Sequence, residues 1–324
     1  MARILVTGGA GYIGSITTAR LSSASHSATV LDNLSTGHRP AVTSARLIEA
    51  DLADSAALDR VFSNEKFEAV MHFASHCYVD ESVREPVKYF EGNLGNGLKL
   101  LRAMLNHRVR NFILSSTCAT YGHPKTIPIT EETPQEPINP YGESKLFLER
   151  ILADYHRAYG VRYVSLRYFN ACGASLDEKL GESHDPETHL IPLVLRAAAT
   201  DFELTVYGDD YETADGTCIR DYVHVEDLAA AHIGALEWLL SGNVSRAFNL
   251  GTGQGFSVKE IIACAERITG KKVRRSIGPR RDGDPAVLVA DASRARQELE
   301  WVPHSSDIDT IMRTAWNWFQ HPRY

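Results

Sequence analysis

The sequence predicts an α/β protein, a doubly wound parallel sheet followed by a smaller C-terminal α/β lobe, and three observations carry this. Short apolar runs alternate with segments of helical spacing through the first 120 residues, a glycine-rich turn separates the first run from the first helix, and from about Phe169 the alternation breaks into long polar loops. Strand and helix alternation of this kind implies right-handed βαβ units. In order, Arg3–Thr7, Ala28–Asp32, Leu47–Glu49, Ala69–Phe73 and Phe112–Ser115 read as strands. Ile16–Leu21 and Val87–Asn106 carry helical spacing. A ligand of such a sheet lies beyond the strand C-termini. In the second half, Cys172–Pro192 and Tyr207–Thr217 read as loops, and Asp227–Leu240 and Val258–Thr269 as ordered apolar segments. The expected division is residues 1–168 and residues 169–324, with some later segments returning to the first unit.

The 324 residues carry a formal net charge of −7, against the basic footprint of a general nucleic-acid binder. A hydrophobic content of 44% fits a globular fold and excludes disorder as the main state. No run of about 18 apolar residues occurs, since Ala229–Leu240 is broken by His232 and Glu237, so no membrane span is expected. Arg3 opens the first strand at once, without the regions of a signal peptide, and the expected location is cytoplasmic. Five cysteines spaced 41 to 54 residues apart read as reduced thiols. His184 and His189 lie among acidic residues without a zinc-type spacing, so they read as loop histidines and no metal is expected. The basic run Lys271, Lys272, Arg274, Arg275 reads as a solvated face.

The turn Thr7-Gly8-Gly9-Ala10-Gly11-Tyr12-Ile13-Gly14 sits between the first strand and the first helix. Glycine there allows a tight turn and close approach of backbone N–H groups to a pyrophosphate at a helix N-terminus. Asp32, eighteen residues after Gly14 at the end of the second strand, is placed to accept ribose hydroxyls and to repel an added 2′-phosphate, which favours NAD over NADP. The fold is thus expected to be Rossmann-type. Asp51, after the third strand, and Phe73-Ala74-Ser75, after the fourth, border the same crevice.

Asn139-Pro140-Tyr141-Gly142-Glu143-Ser144-Lys145 reads as a helix start, with Asn139 as N-cap and apolar spacing through Leu152. Tyr141 and Lys145 then share one face. Tyr121 and Lys125 have the same spacing, but Gly122 and Pro124 make that segment a turn. A phenol with a pKa of about 10 needs roughly 4 kcal/mol of preference for its anion to act as a base at neutral pH. An ammonium and a cationic nicotinamide both act in that direction. A hydroxyl within Leu114-Ser115-Ser116-Thr117, at the end of the fifth strand, is the expected third member.

With TGGAGYIG, Asp32, SSTCATYG and YGESK in this order, the chain resembles the extended short-chain dehydrogenase/reductase family, and within it the UDP-glucose 4-epimerases. The resemblance runs through LDNLSTG, LRYFNACGA, HLIPL, VYGDDYETADGTCIRDYVHV, FNLGTG and PRRDGD, and covers essentially the whole chain. It implies a tightly bound NAD that is not consumed and a second lobe that holds a UDP-sugar. Tyr141 would take the proton of the sugar 4-hydroxyl while C4 gives hydride to NAD. The transient 4-keto sugar would turn and take the hydride back from NADH on its other face. Thr117 would hydrogen-bond the 4-oxygen, and Lys145 would lower the tyrosine pKa and hold the ribose. Gly8, Gly11, Tyr12, Ile13, Gly14, Asp32, Asn33, Leu34, Ser35, Thr36, Gly37, Asp51, Leu52, Phe73, Ala74, Ser75, Cys77, Asn93 and Phe169 would contact NAD, together with Thr117, Tyr141 and Lys145. Cys77 stands where some relatives carry lysine. Thr117, Tyr141, Asn170, His189, Leu190, Thr205, Val206, Tyr207, Arg220, the Arg281–Asp284 loop and Leu288 would meet the UDP-sugar. The two arginines suit a diphosphate by their own chemistry.

Leu288, intermediate in size at a pocket-wall position, implies preference for unacetylated sugars. A homodimer through Val87–Asn106 and Tyr141–Tyr159 is implied as well. A 4,6-dehydratase would need an acid pair after Thr117, where Cys118 and Ala119 stand. Pentose or uronate 4-epimerisation is the alternative chemistry, and a non-catalytic NAD-sensing protein the alternative class.

Overall fold

The computed structural model describes residues 1–281 and 283–324. Seven strands form one parallel sheet: β1 (Arg3–Thr7), β2 (Ser27–Asp32), β3 (Arg46–Glu49), β4 (Ala69–His72), β5 (Asn111–Thr117), β6 (Arg162–Tyr168) and β10 (Arg246–Leu250). Their order is β3-β2-β1-β4-β5-β6-β10. The chain leaves β1 toward β3 and returns to place β4 on the other side of β1. That reversal opens a crevice at the C-terminal ends of β1 and β4.

Alternate residues of each strand feed opposite faces. Ile4, Val6, Val30, Met71, Ile113 and Leu166 pack with helices α1 (Tyr12–Ser23) and α8 (Val225–Leu240) on one face. Leu5, Leu31, Val70, Phe112 and Leu114 pack on the other with α2 (Ser55–Asn64), α5 (Asn96–Asn106) and α6 (Pro140–Tyr159). Both faces are covered, which is why these strands read as unbroken apolar runs.

Two short helices, α3 (Val79–Arg84) and α4 (Pro86–Tyr89), line the approach to α5. The segment expected as one helix over Val87–Asn106 instead contains a π-helical turn, Phe90–Gly95, between α4 and α5. The wider turn holds Asn93, which is buried and makes hydrogen bonds in both directions with the backbone of His76. Asn139 caps α6 by accepting the Gly142 N–H at 2.8 Å. That helix runs seven residues past Leu152, to end on Gly160 at φ +69°.

The second half holds β7 (Asn170–Cys172), α7 (Leu190–Ala199), β8 (Leu204–Tyr207), β9 (Ile219–His224), β11 (Gly255–Ser257), α9 (Val258–Thr269), β12 (Arg275–Gly278), β13 (Val287–Leu288), α10 (Ser293–Glu298) and α11 (Ile308–Gln320). A separate apolar core joins α7, α9 and α11, with Ile191, Val194, Ile261, Ile262, Ile311 and Met312 buried in it. Within this half, α8 and β10 belong to the large sheet rather than to that core.

Candidate active site

A continuous cleft of about 790 Å³ runs from the glycine turn, across the ends of β4 and β5, to the loops of the second half. At one end α1 begins on Gly11 with no side-chain cap, so its first-turn N–H groups face the cleft. Gly8 has φ +75°, and a Cβ there would lie 2.4 Å from the Ala74 backbone nitrogen. The turn can approach β4 this closely only as glycine. A Cβ on Gly14 would meet the Gly8 carbonyl oxygen at 2.2 Å. Asp32 is buried, and its two oxygens accept the Ala10 and Leu34 N–H groups at 3.0 and 2.8 Å. Each oxygen keeps a lone pair for a ribose hydroxyl. The Ala53 N–H, and after it the Asn33 amide that donates at 2.8 Å, hold the Asp51 carboxyl below its ordinary range. Uncapped N–H groups, a glycine cradle and a carboxylate at the ribose position fit a dinucleotide.

In the middle of the cleft, β5 delivers Thr117 and the first turn of α6 delivers Tyr141. Burial pushes the Tyr141 phenol well above its usual pKa, the neighbouring Cys77 adds to this, and a hydrogen bond with Thr117 opposes it. Lys145 is buried, donating to the Ser75 hydroxyl at 2.7 Å and the Ser115 carbonyl at 2.8 Å. Burial brings its ammonium down to about 8. The expected fall of the tyrosine pKa under Lys145 is not found in the protein by itself, where desolvation of the phenol dominates. Behind α6, Glu149 and Arg167 form a buried ion pair at 2.5 Å, and Ser116 and Tyr121 bond to its two members.

At the far end, Arg220 from β9 pairs with Asp284 at 2.5 Å and donates to the Ile219 carbonyl. Its pKa is raised by Asp284 against the pull of burial. Arg281 lies over the Tyr207 ring, 4.3 Å from its centroid. These pairs hold two guanidinium groups at the cleft wall.

Of the residues expected at the cofactor, Gly8, Gly11, Tyr12, Ile13, Gly14, Asp32, Asn33, Ser35, Thr36, Gly37, Asp51, Leu52, Phe73, Ala74, Ser75, Cys77 and Phe169 line the cleft, with Thr117 and Tyr141. Leu34, Asn93 and Lys145 do not. Leu34 contributes its backbone N–H to Asp32, Asn93 shapes the turn at His76, and Lys145 rises from beneath the floor at Ser75. Asn170, His189, Leu190, Thr205, Val206, Tyr207, Arg220, Arg281, Asp284 and Leu288 all line the other end. Asp282, inside the expected Arg281–Asp284 loop, lies outside the described residues. Sequence reasoning missed Tyr78, Glu182 and the Ser115 carbonyl. Glu182 and Tyr78 line the cleft from segments without a recognised motif, and the carbonyl carries no side-chain signal.

Glu182 and Glu187 also face His184 and His189 across 2.8 to 3.6 Å. Burial opposes ionisation of all four. Even so, the carboxylates raise His184 to about 9 and His189 well above its usual value, and the histidines hold both carboxyls low.

Residues 4–251 match the NAD dependent epimerase/dehydratase family. The UDP-glucose 4-epimerase of Lacticaseibacillus casei is 51% identical over 322 residues, 98% of this chain and 97% of that one. The UDP-glucose 4-epimerase of Lactobacillus helveticus is 48% identical over 324 residues, 99% and 98% of the two chains. Among solved structures, the UDP-glucose 4-epimerase from Brucella ovis in complex with NAD superposes with a TM-score of 0.96 at 51% identity, covering 98% of both chains. The Bifidobacterium longum enzyme in complex with NAD+ and UDP gives 0.94 at 39% identity, covering 99% of this chain and 98% of that one. On sequence, fold and cleft together, the chain belongs to the NAD dependent epimerase/dehydratase family.

Proposed function

We propose that the chain interconverts UDP-glucose and UDP-galactose by inverting C4 of the bound sugar. One observation carries the reading: a single cleft joins a dinucleotide cradle, the Thr117–Tyr141 pair and two arginines held at its far wall. Residues 1–168, completed by α8 and β10, form the cofactor platform. The rest of 169–324 forms the substrate lobe. NAD, held by the glycine turn, Asp32 and the Phe73–Cys77 turn, supplies the hydride acceptor and donor for C4. Tyr141 takes the proton from the 4-hydroxyl and later returns it. Thr117 holds the 4-oxygen, and Lys145 fixes Ser75 and the end of β5 beneath the reacting groups. Arg220 and Arg281 clamp the diphosphate, and Tyr207 borders the uracil.

The deciding assay mixes purified protein with UDP-galactose and no added cofactor, follows UDP-glucose by chromatography, and measures NAD released on denaturation. Conversion to an equilibrium mixture with NAD recovered is expected. Retained NAD without conversion would shift the substrate to a UDP-pentose or UDP-uronate.

Leu288 sets the size of the sugar pocket, so Leu288→Cys is expected to raise UDP-GlcNAc turnover. No gain would remove that role. Two copies would pair through the exposed apolar residues Val87, Leu98 and Phe147 of α4, α5 and α6; light scattering is expected to give the mass of a dimer, and a monomer mass would remove this reading. The working location is the cytoplasm, in keeping with five free thiols.

A further inference from the structure

We propose that Glu182, His184, Glu187 and His189 bind one zinc ion in the wall of the cleft. Four donor side chains fall within eight residues of the loop that enters α7. The loop folds so that their ligand atoms all lie within 4.8 Å of one another.

The arrangement alternates nitrogen and oxygen. His184 Nδ1 stands 3.1 Å from Glu182 Oε1 and 3.6 Å from Glu187 Oε2. His189 Nδ1 stands 2.9 Å from Glu182 Oε1 and 2.8 Å from Glu187 Oε1. Bonds of about 2.0–2.1 Å to a tetrahedral zinc place neighbouring ligands about 3.3 Å apart. The measured separations bracket that edge, with Glu187 offering Oε2 to His184 and Oε1 to His189, so its carboxylate has to turn to present one oxygen to a central ion.

Charge and donor type agree with the geometry. Two carboxylates balance one divalent cation once it has displaced the ring protons of His184 and His189. Two imidazoles with two carboxylates suit zinc, whereas magnesium and calcium favour all-oxygen sets with more ligands. The surroundings also orient the donors. Glu187 Oε1 accepts the Thr188 and His189 N–H groups at 2.7 and 2.8 Å, and the His184 ring meets Tyr12 and Tyr78 edge-on. Trp318 Nε1 donates to the Glu182 carbonyl at 2.7 Å, tying the loop to α11. Such outer contacts fix the orientation of metal ligands. All four ligands come from protein, as in zinc sites that organise structure. The ion would fasten the loop between β7 and α7 to the cleft wall.

The test uses untagged full-length holoprotein, incubated with zinc chloride, desalted, and measured for metal by mass spectrometry. About one zinc per chain is expected. After chelation, cobalt(II) chloride should give the strong visible absorption of four-coordinate cobalt, and zinc should bleach it. Glu182→Gln and His184→Ala should each reduce retained zinc at least tenfold, while NAD released on denaturation reports that the fold survives. Wild-type protein that retains no zinc, shows only the weak absorption of six-coordinate cobalt, or binds as much metal as the two variants would overturn the site. Should either variant not fold, the wild-type stoichiometry and cobalt spectrum decide alone. None of these readings depends on the substrate.

Discussion

Lys145 illustrates how a residue proposed to serve the reaction can weaken the fold. Its ammonium is buried and its pKa is brought down to about 8 from 10.5, so at neutral pH burial of the charge costs about 3 kcal/mol. Lys145→Met should therefore melt no lower than wild type, while epimerase turnover falls; a clear loss of thermal stability would contradict this. Tyr141→Phe should leave the fold and NAD content intact and reduce kcat by roughly 10²–10⁴-fold, the range of a positioned acid or base. Steady-state rates on UDP-galactose check both variants. At this scale, the types and spacing of Tyr141, Lys145 and Asp32 were legible in the sequence. That Lys145 lies below the cleft floor is not legible there, because its partners are the Ser75 hydroxyl in the turn after β4 and the Ser115 backbone carbonyl on β5.

The helix that carries Tyr141 is held at both ends of its buried stretch. Asn139 caps its start, and Glu149, one turn after Lys145, is locked to Arg167 of β6. Arg167→Leu should destabilise the protein by about 3–5 kcal/mol, because Glu149 is left charged and unpaired in the interior. Adding Glu149→Leu should recover most of the loss, and denaturant titration of the single and double variants checks it. Elements with simple periodicity are readable in the sequence: β1 and the ordered segment that forms α9 have the predicted limits, and the Asn139 cap makes its expected bond. The π-helical turn at Phe90–Gly95 was hidden, since its cause is a buried contact to His76 from a segment 17 residues away. Glu182 and Glu187 are visible in the sequence only as acidic neighbours of His184 and His189, because the fold of their loop, not their spacing, brings the four ligand atoms together.

Across the whole molecule, buried neutral histidines are one source of lost stability at low pH. Burial is the main cause that lowers His72 from 6.5 to about 3, with the Lys145 charge second, and burial lowers His232 to about 4. Above pH 6.5 both states are neutral and nothing is lost. Below it the unfolded chain takes up protons that the native interior refuses, so stability declines as pH falls from 6.5 toward 3. Each residue contributes about 1.4 kcal/mol per pH unit in its own window, His72 down to about pH 3 and His232 down to about pH 4. Replacing His72 by Asn should flatten the fall in melting temperature between pH 7 and pH 5; an unchanged slope would assign the acid sensitivity elsewhere. The doubly wound architecture at this scale was legible from the first 120 residues, but the strand that closes the sheet was not, because nothing in Arg246–Leu250 states which edge it joins.

That late strand has a consequence for synthesis. β6 has β5 on one side, and its other side stays open until β10 arrives some 80 residues later. While the ribosome makes the intervening chain, the growing protein presents an apolar strand with unpaired N–H and C=O groups, and the helix that should cover that part of the sheet, α8, is also still to come. The nascent chain therefore passes through a long interval in which its edge is adhesive, and a product cut at residue 168 should be caught in that state, recovered from cells in the insoluble fraction or bound to chaperones.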